Sequence, residues 1–319
     1  MTTAPLSSDS VASAGMIAPA RPAFSSDSVR LVEVGPRDGL QNEKSYPATD
    51  VKIELITRLA AAGMATIEAG SFVSPRRVPA MADTGDVMRR LPIMPDVSLP
   101  VLVPNMRGLE QAMLAGCREI AVFLSASEGF SQRNIQCSIQ ESRARYIDVI
   151  DAALVAGLRV RGYISCVVRC PYDGDVPIDK VVQVAQWLLE RGCYEVSLGD
   201  TIGAGTPAHI RALLQACAAT MPVTQLAGHF HDTYGMAVAN VVAALESGVR
   251  VFDTSVAGLG GCPYAKGASG NVASEDVVYL LRGLGMQTGV DLPALVETGA
   301  FISQALGRAT ASAVGRALS

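Results

Sequence analysis

The chain has 319 residues and a mass of 33.3 kDa, enough for two ordinary domains or for one α/β barrel, which routinely exceeds 200 residues as a single unit. Hydrophobic residues make up 49% and charged residues 18%, which is typical of a globular protein, and no apolar run is long enough to span a bilayer. The formal charge of -4, without a basic stripe, argues against nucleic acid as a partner but permits a small anionic substrate.

The first segment, residues 1–28, is rich in Ser, Ala and Pro and shows no apolar periodicity, so we expect a disordered tail. It holds one arginine and two aspartates, unlike an Arg-rich, acid-poor mitochondrial transit peptide. The seven cysteines are scattered, odd in number and without a C-x-x-C pair, which favours a reduced intracellular protein. A cytoplasmic location is therefore predicted.

From residue 29 onwards, short apolar runs alternate with amphipathic segments. Eight strand candidates are LVEV (31–34), TIEAG (66–70), VSLPVLV (97–103), EIAVFL (119–124), LRVRGYISC (158–166), YEVSLG (194–199), TQLAGHFH (224–231) and VRVFDTSVA (249–257). Several of the helical segments between them, such as VKIELITRLAAAG, close on a glycine that favours a helix C-terminus.

Eight strands alternating with helices predict a (β/α)8 TIM barrel, formed as a single domain over residues 29–319. An open doubly wound sheet is the alternative, but the turn VEVGPRDGLQ after the first strand lacks the G-x-G-x-x-G pattern. Residues 291–319 predict one or two extra helices outside the barrel. Such an external helix suggests a homodimer.

In a TIM barrel the active site lies at the carboxyl ends of the strands. The predicted strand ends are rich in polar and charged residues: Glu33, Arg37 and Asp38 after strand one, Glu68 in strand two, Asp200 after strand six, His229 and His231 in strand seven, and Cys262, Lys266 and Asn271 after strand eight.

His229 and His231 stand two residues apart, so on a strand they face the same side. This spacing predicts half of a metal site, with Asp38 as the best candidate carboxylate and the amide oxygen of Asn271 as a further ligand. A mixed N and O donor set without thiolate favours Mg²⁺ or Mn²⁺ over tetrahedral Zn²⁺. The alternative is a pair of hydrogen-bonded core histidines.

Several stretches together resemble hydroxymethylglutaryl-CoA lyase, a metal-dependent TIM-barrel family, over nearly all of residues 29–308. They are VEVGPRDGLQNEK, IEAGSFVSP, RGYISC, CYEVSLGDTIGAGTP, HFHDTYG and SVAGLGGCPYAKGASGN. The resemblance implies that Asp38, His229, His231 and Asn271 bind the metal, that Arg37 binds substrate, that Cys262 is catalytic, and that Glu68 and Asp200 are active-site acids. Ala69–Gly70 departs from some members and bears on which acyl group is accepted.

The implied reaction is a retro-Claisen cleavage of 3-hydroxy-3-methylglutaryl-CoA to acetoacetate and acetyl-CoA. A divalent cation acidifies the C3 hydroxyl, Arg37 stabilises the thioester enolate, and Cys262, in its glycine-rich loop, protonates the carbanion. His229 or Asp38, backed by Glu68 or Asp200, is expected to accept the hydroxyl proton. For Arg37 the alternative is a structural ion pair with Glu33 or Glu43.

The acyl-CoA substrate carries phosphates, for which Lys44, Lys266 and the Arg76–Arg77 pair are candidates. Other functions compatible with an H-x-H and Asp site are a lyase for longer 3-hydroxy-3-alkylglutaryl thioesters, a Claisen-condensing synthase of the same barrel superfamily, and a pyruvate-utilising aldolase. A non-haem iron oxygenase would more often carry His-x-Asp, which is absent from the sequence. A non-enzymatic binding barrel would leave the polar strand ends unexplained.

Overall fold

A computed structural model describes residues 28–261 and 270–319 of the chain. Three sequence-based predictions lie outside these residues: the disordered tail, apart from Ser28, and the positions of Cys262 and Lys266. The described helices include none that is both long and apolar enough to cross a membrane.

Eight parallel strands form the centre of the fold. They are β1 (Arg30–Glu33), β2 (Gly70–Ser71), β3 (Val101–Leu102), β4 (Glu119–Ser125), β5 (Arg159–Ser165), β6 (Glu195–Asp200), β7 (Leu226–Phe230) and β8 (Val251–Thr254). Each strand neighbours the next in sequence, and β8 pairs with β1. A parallel bridge between Glu33 and Ile67 joins β1 to the segment before β2 and completes the ring. The predicted TIM barrel is confirmed.

The strands are buried on both faces, which explains why they read as nearly continuous apolar runs. In β4 six of the seven residues of EIAVFLS are buried, and Val122 and Leu124 pack outwards into the main hydrophobic core beneath the helices. Each predicted strand overlaps the observed one. The second and third strands are shorter than predicted, because only two residues of each make regular ladder pairs.

Helices cover the outside of the barrel. They are α1 (Thr49–Ala61), α2 (Thr84–Arg90), α3 (Met106–Leu114), α4 (Glu128–Ile135), α5 (Ile139–Val155), α6 (Ile178–Glu190), α7 (Pro207–Ala218), α8 (Ala237–Glu246), α9 (Ser274–Gly283), α10 (Leu292–Leu306) and α11 (Ala313–Leu318). Gly63, after α1, shows why a glycine closes such a helix: its φ is +94°, and a Cβ there would come within 2.3 Å of the Gly289 carbonyl oxygen.

Two features after β4 and β5 were not predicted from the sequence. One is α4, and the other is a two-stranded hairpin pairing Arg169–Cys170 with Gly174–Asp175. Asp173 joins them, because its carboxylate accepts hydrogen bonds from Ser127 Oγ at 2.6 Å and from the Gly129 amide at 2.7 Å. Both features stand beside the carboxyl ends of the strands.

The C-terminal segment 291–319, predicted to hold one or two extra helices, forms α10 and α11. Helix α10 packs on α1 and α9, and α11 packs on α9 and α10. The turn between them reaches the segment after β8: the Ala311 amide donates to the Ala257 carbonyl at 3.0 Å, and Arg308 donates to the Ala257 and Gly258 carbonyls. The extension therefore supports the base of the loop that leads to Cys262.

A buried carboxylate, Glu275 at the start of α9, holds the same segment from the other side. The Ala257 amide donates to its two oxygens at 2.9 and 3.1 Å. Ala257 adopts a left-handed φ of 55°, which is unfavourable for a residue with a Cβ and is fixed here by these bonds. Burial raises the pKa of Glu275 to about 8 from an ordinary value of 4.5.

We expect Glu275→Gln to weaken the pH dependence of stability. Between pH 4.5 and 8 the folded protein keeps a proton on Glu275 that the unfolded chain releases, so the stabilisation is complete below pH 4.5 and is lost as the pH rises through 8. The slope for one such proton is about 1.4 kcal/mol per pH unit. Glutamine keeps the acceptor oxygen and does not titrate. The free energy of unfolding, measured by denaturant titration at pH 6 and pH 8.5, should therefore fall less in the variant.

The matched control is Glu297→Gln on α10, where the side chain is exposed. It should keep the wild-type slope. Glu33, whose burial raises its pKa to about 7, acts in the same direction and remains in both variants, so part of the dependence should persist. An unchanged slope in Glu275→Gln would contradict the prediction.

Candidate active site and metal centre

Arg37 and Asp38 lie on a tight π-helical turn, Gly35–Gly39, directly after β1. The amides of Arg37, Asp38 and Gly39 all donate to the Val34 carbonyl, at 2.8 to 3.2 Å. Gly35 is required because a Cβ there would lie 2.5 Å from Glu33 Oε1, the oxygen that accepts the Gly35 amide at 2.8 Å. Glu33 thus shapes the turn that projects the arginine and the aspartate over the barrel mouth.

His229 and His231 extend from the end of β7 to the same side, as their spacing predicts. Their Nε2 atoms are 3.2 Å apart, and ligand atoms of Asp38, His229 and His231 all lie within 4.8 Å of one another. The three side chains come from the turn after β1 and from the end of β7; the two imidazoles are buried, and the Asp38 side chain is 14% exposed. The structure therefore brings together the two imidazoles and the carboxylate that the sequence suggested as a metal site.

The surrounding atoms fit a divalent cation. Asn271 lies beside the site, where its Nδ2 donates to Asp38 Oδ2 at 2.8 Å. Within the described residues, the buried Asn271 Oδ1 has no hydrogen-bond partner. A buried acceptor without a donor is costly in a protein interior, and a cation bound by oxygen and imidazole ligands would offset that cost. The donor set contains no thiolate and suits Mg²⁺ or Mn²⁺.

The charge states also suit metal binding. Burial alone would raise the pKa of Asp38, but the charge of Arg37 and the two imidazoles outweigh it and lower the pKa to about 2. Burial and the neighbouring His229 lower the pKa of His231 to about 4. At neutral pH, Asp38 is therefore an anion and His231 a neutral imidazole, the forms that coordinate cations.

Arg37 is held between two carboxylates. Its Nε donates to Glu68 Oε2 at 2.6 Å and its Nη1 to Asp38 Oδ1 at 2.7 Å. The alternative pairings with Glu33 or Glu43 are wrong. Glu33 accepts backbone amides after β1 and β8, and Glu43 lies 3.3 Å from the Arg308 guanidinium.

The site opens into a cavity of about 860 Å³ at the carboxyl ends of the strands. Arg37, Asp38 and both histidines line its floor. Leu102, Phe123 and Tyr163 give it an apolar wall. Its remaining lining includes two arginines, Arg77 and Arg145, which are exposed to solvent. A long ligand with an anionic end would fit this cavity, with the anionic end at the two arginines of the rim and the other end at the charged floor.

Four predicted residues do not line the cavity: Glu68, Asp200, Asn271 and Lys44. Glu68 is fully buried against Arg37. Asp200 is buried, and its carboxylate accepts the amides of Ala204 at 3.1 Å and Gly205 at 2.8 Å, so it fixes the loop after β6. Burial raises its pKa to about 6. Lys44 is exposed between the cavity-lining Asn42 and Tyr46. Of the Arg76–Arg77 pair, which was also predicted to bind the phosphates, Arg77 lines the cavity and Arg76 does not.

Three interior residues near the site were not singled out from the sequence: Asp253, Arg161 and Tyr163. Asp253 Oδ2 lies 3.1 Å from His229 Nδ1, and Arg161 Nη2 donates to Asp253 Oδ1 at 2.7 Å. The Tyr163 ring lies against the guanidinium groups of Arg37 and Arg161, at 5.5 and 4.9 Å from their central carbons. The sequence signal for these residues was the alternation of side chains along β5 and β8, since every second residue of a barrel strand points into the barrel.

The predictions for Cys262 and Lys266 concern residues 262–269, which are outside the described part of the chain. Gly261, the residue before Cys262, does line the cavity. The described residue that precedes the cysteine therefore borders the cavity.

Comparison with known proteins identifies a family and relatives of more than 50% identity. The HMGL-like family model matches residues 28–302. A hydroxymethylglutaryl-CoA lyase from Pseudomonas mevalonii is 58% identical over 91% of this chain and 96% of its own length. A 3-hydroxy-3-isohexenylglutaryl-CoA/hydroxymethylglutaryl-CoA lyase from Pseudomonas aeruginosa is 57% identical over 91% of this chain and 97% of its own.

Among solved structures, a hydroxymethylglutaryl-CoA lyase from Pseudomonas aeruginosa superimposes with a TM-score of 0.90 and 56% identity. The alignment covers 92% of this chain and 98% of that one.

Proposed function

The chain belongs to the HMGL-like family, and on that premise we propose how its barrel mouth performs the carbon–carbon bond cleavage of this enzyme class. The enzyme is a lyase that converts 3-hydroxy-3-methylglutaryl-CoA to acetoacetate and acetyl-CoA. One observation carries the mechanism: Asp38, His229 and His231 converge within 4.8 Å at the floor of the cavity, with the Arg37 guanidinium bonded to Asp38.

Asp38, His229 and His231 would hold the divalent cation, with Asn271 Oδ1 as a further ligand. The cation, when bound, supplies Lewis acidity that favours ionisation of the C3 hydroxyl. Together with Arg37, these side chains would bind and orient the substrate at the floor of the cavity. We propose Mg²⁺ or Mn²⁺, because oxygen and neutral imidazole ligands without thiolate suit these ions.

Arg37 would stabilise the charge that appears on the thioester oxygen as the bond breaks. Its guanidinium is pre-oriented by Glu68 and Asp38 and is stacked near Tyr163, so it does not have to reorganise during the reaction. The planar fork can donate two parallel hydrogen bonds, which a lysine cannot do.

For the hydroxyl proton, we propose Glu68 rather than His229 or Asp38, although Glu68 is fully buried against Arg37 and does not itself line the cavity. His229 Nδ1 is already bonded to Asp253, so a metal on Nε2 would leave it no free nitrogen. Asp38, with a pKa of about 2, is a weak base. Burial raises the pKa of Glu68, and its Oε1 has no hydrogen-bond partner among the described residues. Cys262 remains the proposed proton donor to the enolate, on the strength of the sequence alone.

The CoA part of the bound substrate would extend out of the cavity across its rim. Arg77 and Arg145 stand there, and positive groups at that end would attract its phosphates despite the net negative charge of the protein.

The test is a panel of CoA thioesters, assayed for acetyl-CoA release with and without divalent metal. We expect 3-hydroxy-3-methylglutaryl-CoA to be cleaved with Mg²⁺ or Mn²⁺ and not after full metal removal. Glutaryl-CoA, which has no C3 hydroxyl, should not react, and thioesters with longer C3 alkyl groups report on the apolar wall formed by Leu102, Phe123 and Tyr163. Turnover that survives metal removal would contradict the proposed site, and strict preference for a longer C3 chain would contradict the substrate.

A further inference from the structure

A chain of buried polar contacts runs through the barrel interior beneath the metal site. Arg161 on β5 donates from Nε to Glu195 Oε1 at 2.8 Å and from Nη2 to Asp253 Oδ1 at 2.7 Å. Ser197 on β6 donates to Asp253 Oδ2 at 2.6 Å. Arg161, Ser197 and Asp253 are at most 1% exposed. A carboxylate with these donors is fixed in position and remains ionised.

This series of polar contacts ends at the imidazole of His229. Asp253 on β8 is the register partner of His229 on β7, and its Oδ2 lies 3.1 Å from His229 Nδ1. An ionised carboxylate can only accept hydrogen bonds, so His229 Nδ1 must carry the proton. The other nitrogen, Nε2, is then left with a lone pair, and it faces His231 Nε2 at 3.2 Å.

We propose that Asp253, held by Arg161 and Ser197, is a positioning residue that fixes the tautomer and ring orientation of His229 so that Nε2 is presented to a divalent cation. The inference rests on the proposed function for the identity of the site. Carboxylates that accept the second N–H of a metal-binding histidine typically raise metal affinity 10- to 100-fold.

The two histidines differ in this respect. Within the described residues, His231 Nδ1 is buried without a hydrogen-bond partner, whereas His229 Nδ1 has Asp253. Asp253 should therefore determine the tautomer of His229 but not that of His231. The difference can be observed directly, because the sequence contains only one further histidine, His209, which caps α7.

The first measurement is the tautomer, read by long-range ¹H–¹⁵N correlation on metal-free protein labelled at histidine. With three imidazoles in the spectrum, His229→Gln and His231→Gln samples assign two sets of signals and His209 serves as reference. We expect wild-type His229 to be protonated at Nδ1. In Asp253→Asn, where the side chain can also donate, a substantial Nε2-protonated population should appear.

The second measurement is Mn²⁺ affinity, followed by the electron paramagnetic resonance signal of free Mn²⁺. Asp253→Asn should raise the Mn²⁺ Kd by about 10- to 100-fold. Glu119→Gln is the matched control, because it makes the same carboxylate-to-amide change at another buried site. Glu119 is the first residue of β4, and its carboxylate accepts hydrogen bonds from Ser98, Arg159 and Tyr194. Its Kd should stay within about threefold of wild type, whatever stability it loses.

Each outcome decides the proposal. Wild-type His229 protonated at Nε2 would overturn it, and this measurement does not depend on the folding of Asp253→Asn. An Asp253→Asn protein that keeps both the wild-type tautomer and the wild-type Kd would also overturn it, while the metal site itself stands. Wild-type protein that binds no Mn²⁺ would overturn the proposed function and this inference together.

Discussion

Replacing Asp38 with asparagine should remove the bound metal and lower kcat/KM by at least about a thousandfold, since Lewis-acid stabilisation of the transition state is worth several kcal/mol. Asp38 is the single carboxylate in the ligand cluster, and asparagine would leave only neutral ligands around a dication. It would also remove the negative charge that Arg37 pairs with at 2.7 Å. Metal content after dialysis, by mass spectrometry, and turnover with saturating Mg²⁺ would be measured together.

Asp232→Asn is the matched control for that experiment. It makes the same change next to His231, but the Asp232 carboxylate accepts the Ala237 amide at 3.0 Å and takes no part in the ligand cluster. It should retain metal and activity within a few fold. An Asp38→Asn enzyme with full metal content and near-native turnover would refute the assignment of the metal centre.

Arg37→Lys should lower kcat by about 10²- to 10³-fold while metal content stays at the wild-type level. Loss of one pre-organised donor to a developing oxyanion typically costs about 3 to 4 kcal/mol. Lysine preserves the positive charge but cannot keep both the Nε bond to Glu68 and the Nη1 bond to Asp38 and still donate to the substrate. The effect should fall on kcat more than on KM, because the interaction strengthens in the transition state.

The comparison variant is Arg77→Lys at the cavity rim, also an arginine-to-lysine change. There the expected effect is a higher KM for the CoA thioester, with kcat unchanged, because a rim charge contributes to binding equally in the ground and transition states. If Arg37→Lys behaved in the same way, with only KM affected, Arg37 would be a binding residue and its role with the enolate would be wrong.

The strand pattern made the barrel predictable. Each of the eight predicted runs overlaps an observed strand, because a parallel strand buried on both faces must be apolar along its length and the helix after it must show an apolar stripe. The hairpin at Arg169–Cys170 and helix α4 were not predicted, because both are short. Both are also held by Asp173, which is distant from α4 in sequence.

The site was predictable in part. His229 and His231 share a face because alternation along a strand is a local property, and Arg37 and Asp38 are adjacent in the chain. Asp200 shows the limit of such reasoning. Its place at a strand end made it a candidate and the family resemblance implied an active-site acid, but neither predicted that its carboxylate accepts two backbone amides of the following loop. The sequence does not show how a loop folds back over the residue that precedes it.

The sequence by itself therefore determined the barrel, the end of it that is functional, and the residue types available for chemistry, because these follow from periodicity and from strand order. Only the tertiary structure decided which side chains meet. Asp253 contacts His229 across 24 residues of sequence and Arg37 contacts Glu68 across 31, and both contacts depend on strand tilt and register around the closed ring. Short-range patterns carry no information about that register, so the partners that orient a metal-binding imidazole and a substrate-binding guanidinium become visible only when the barrel is closed.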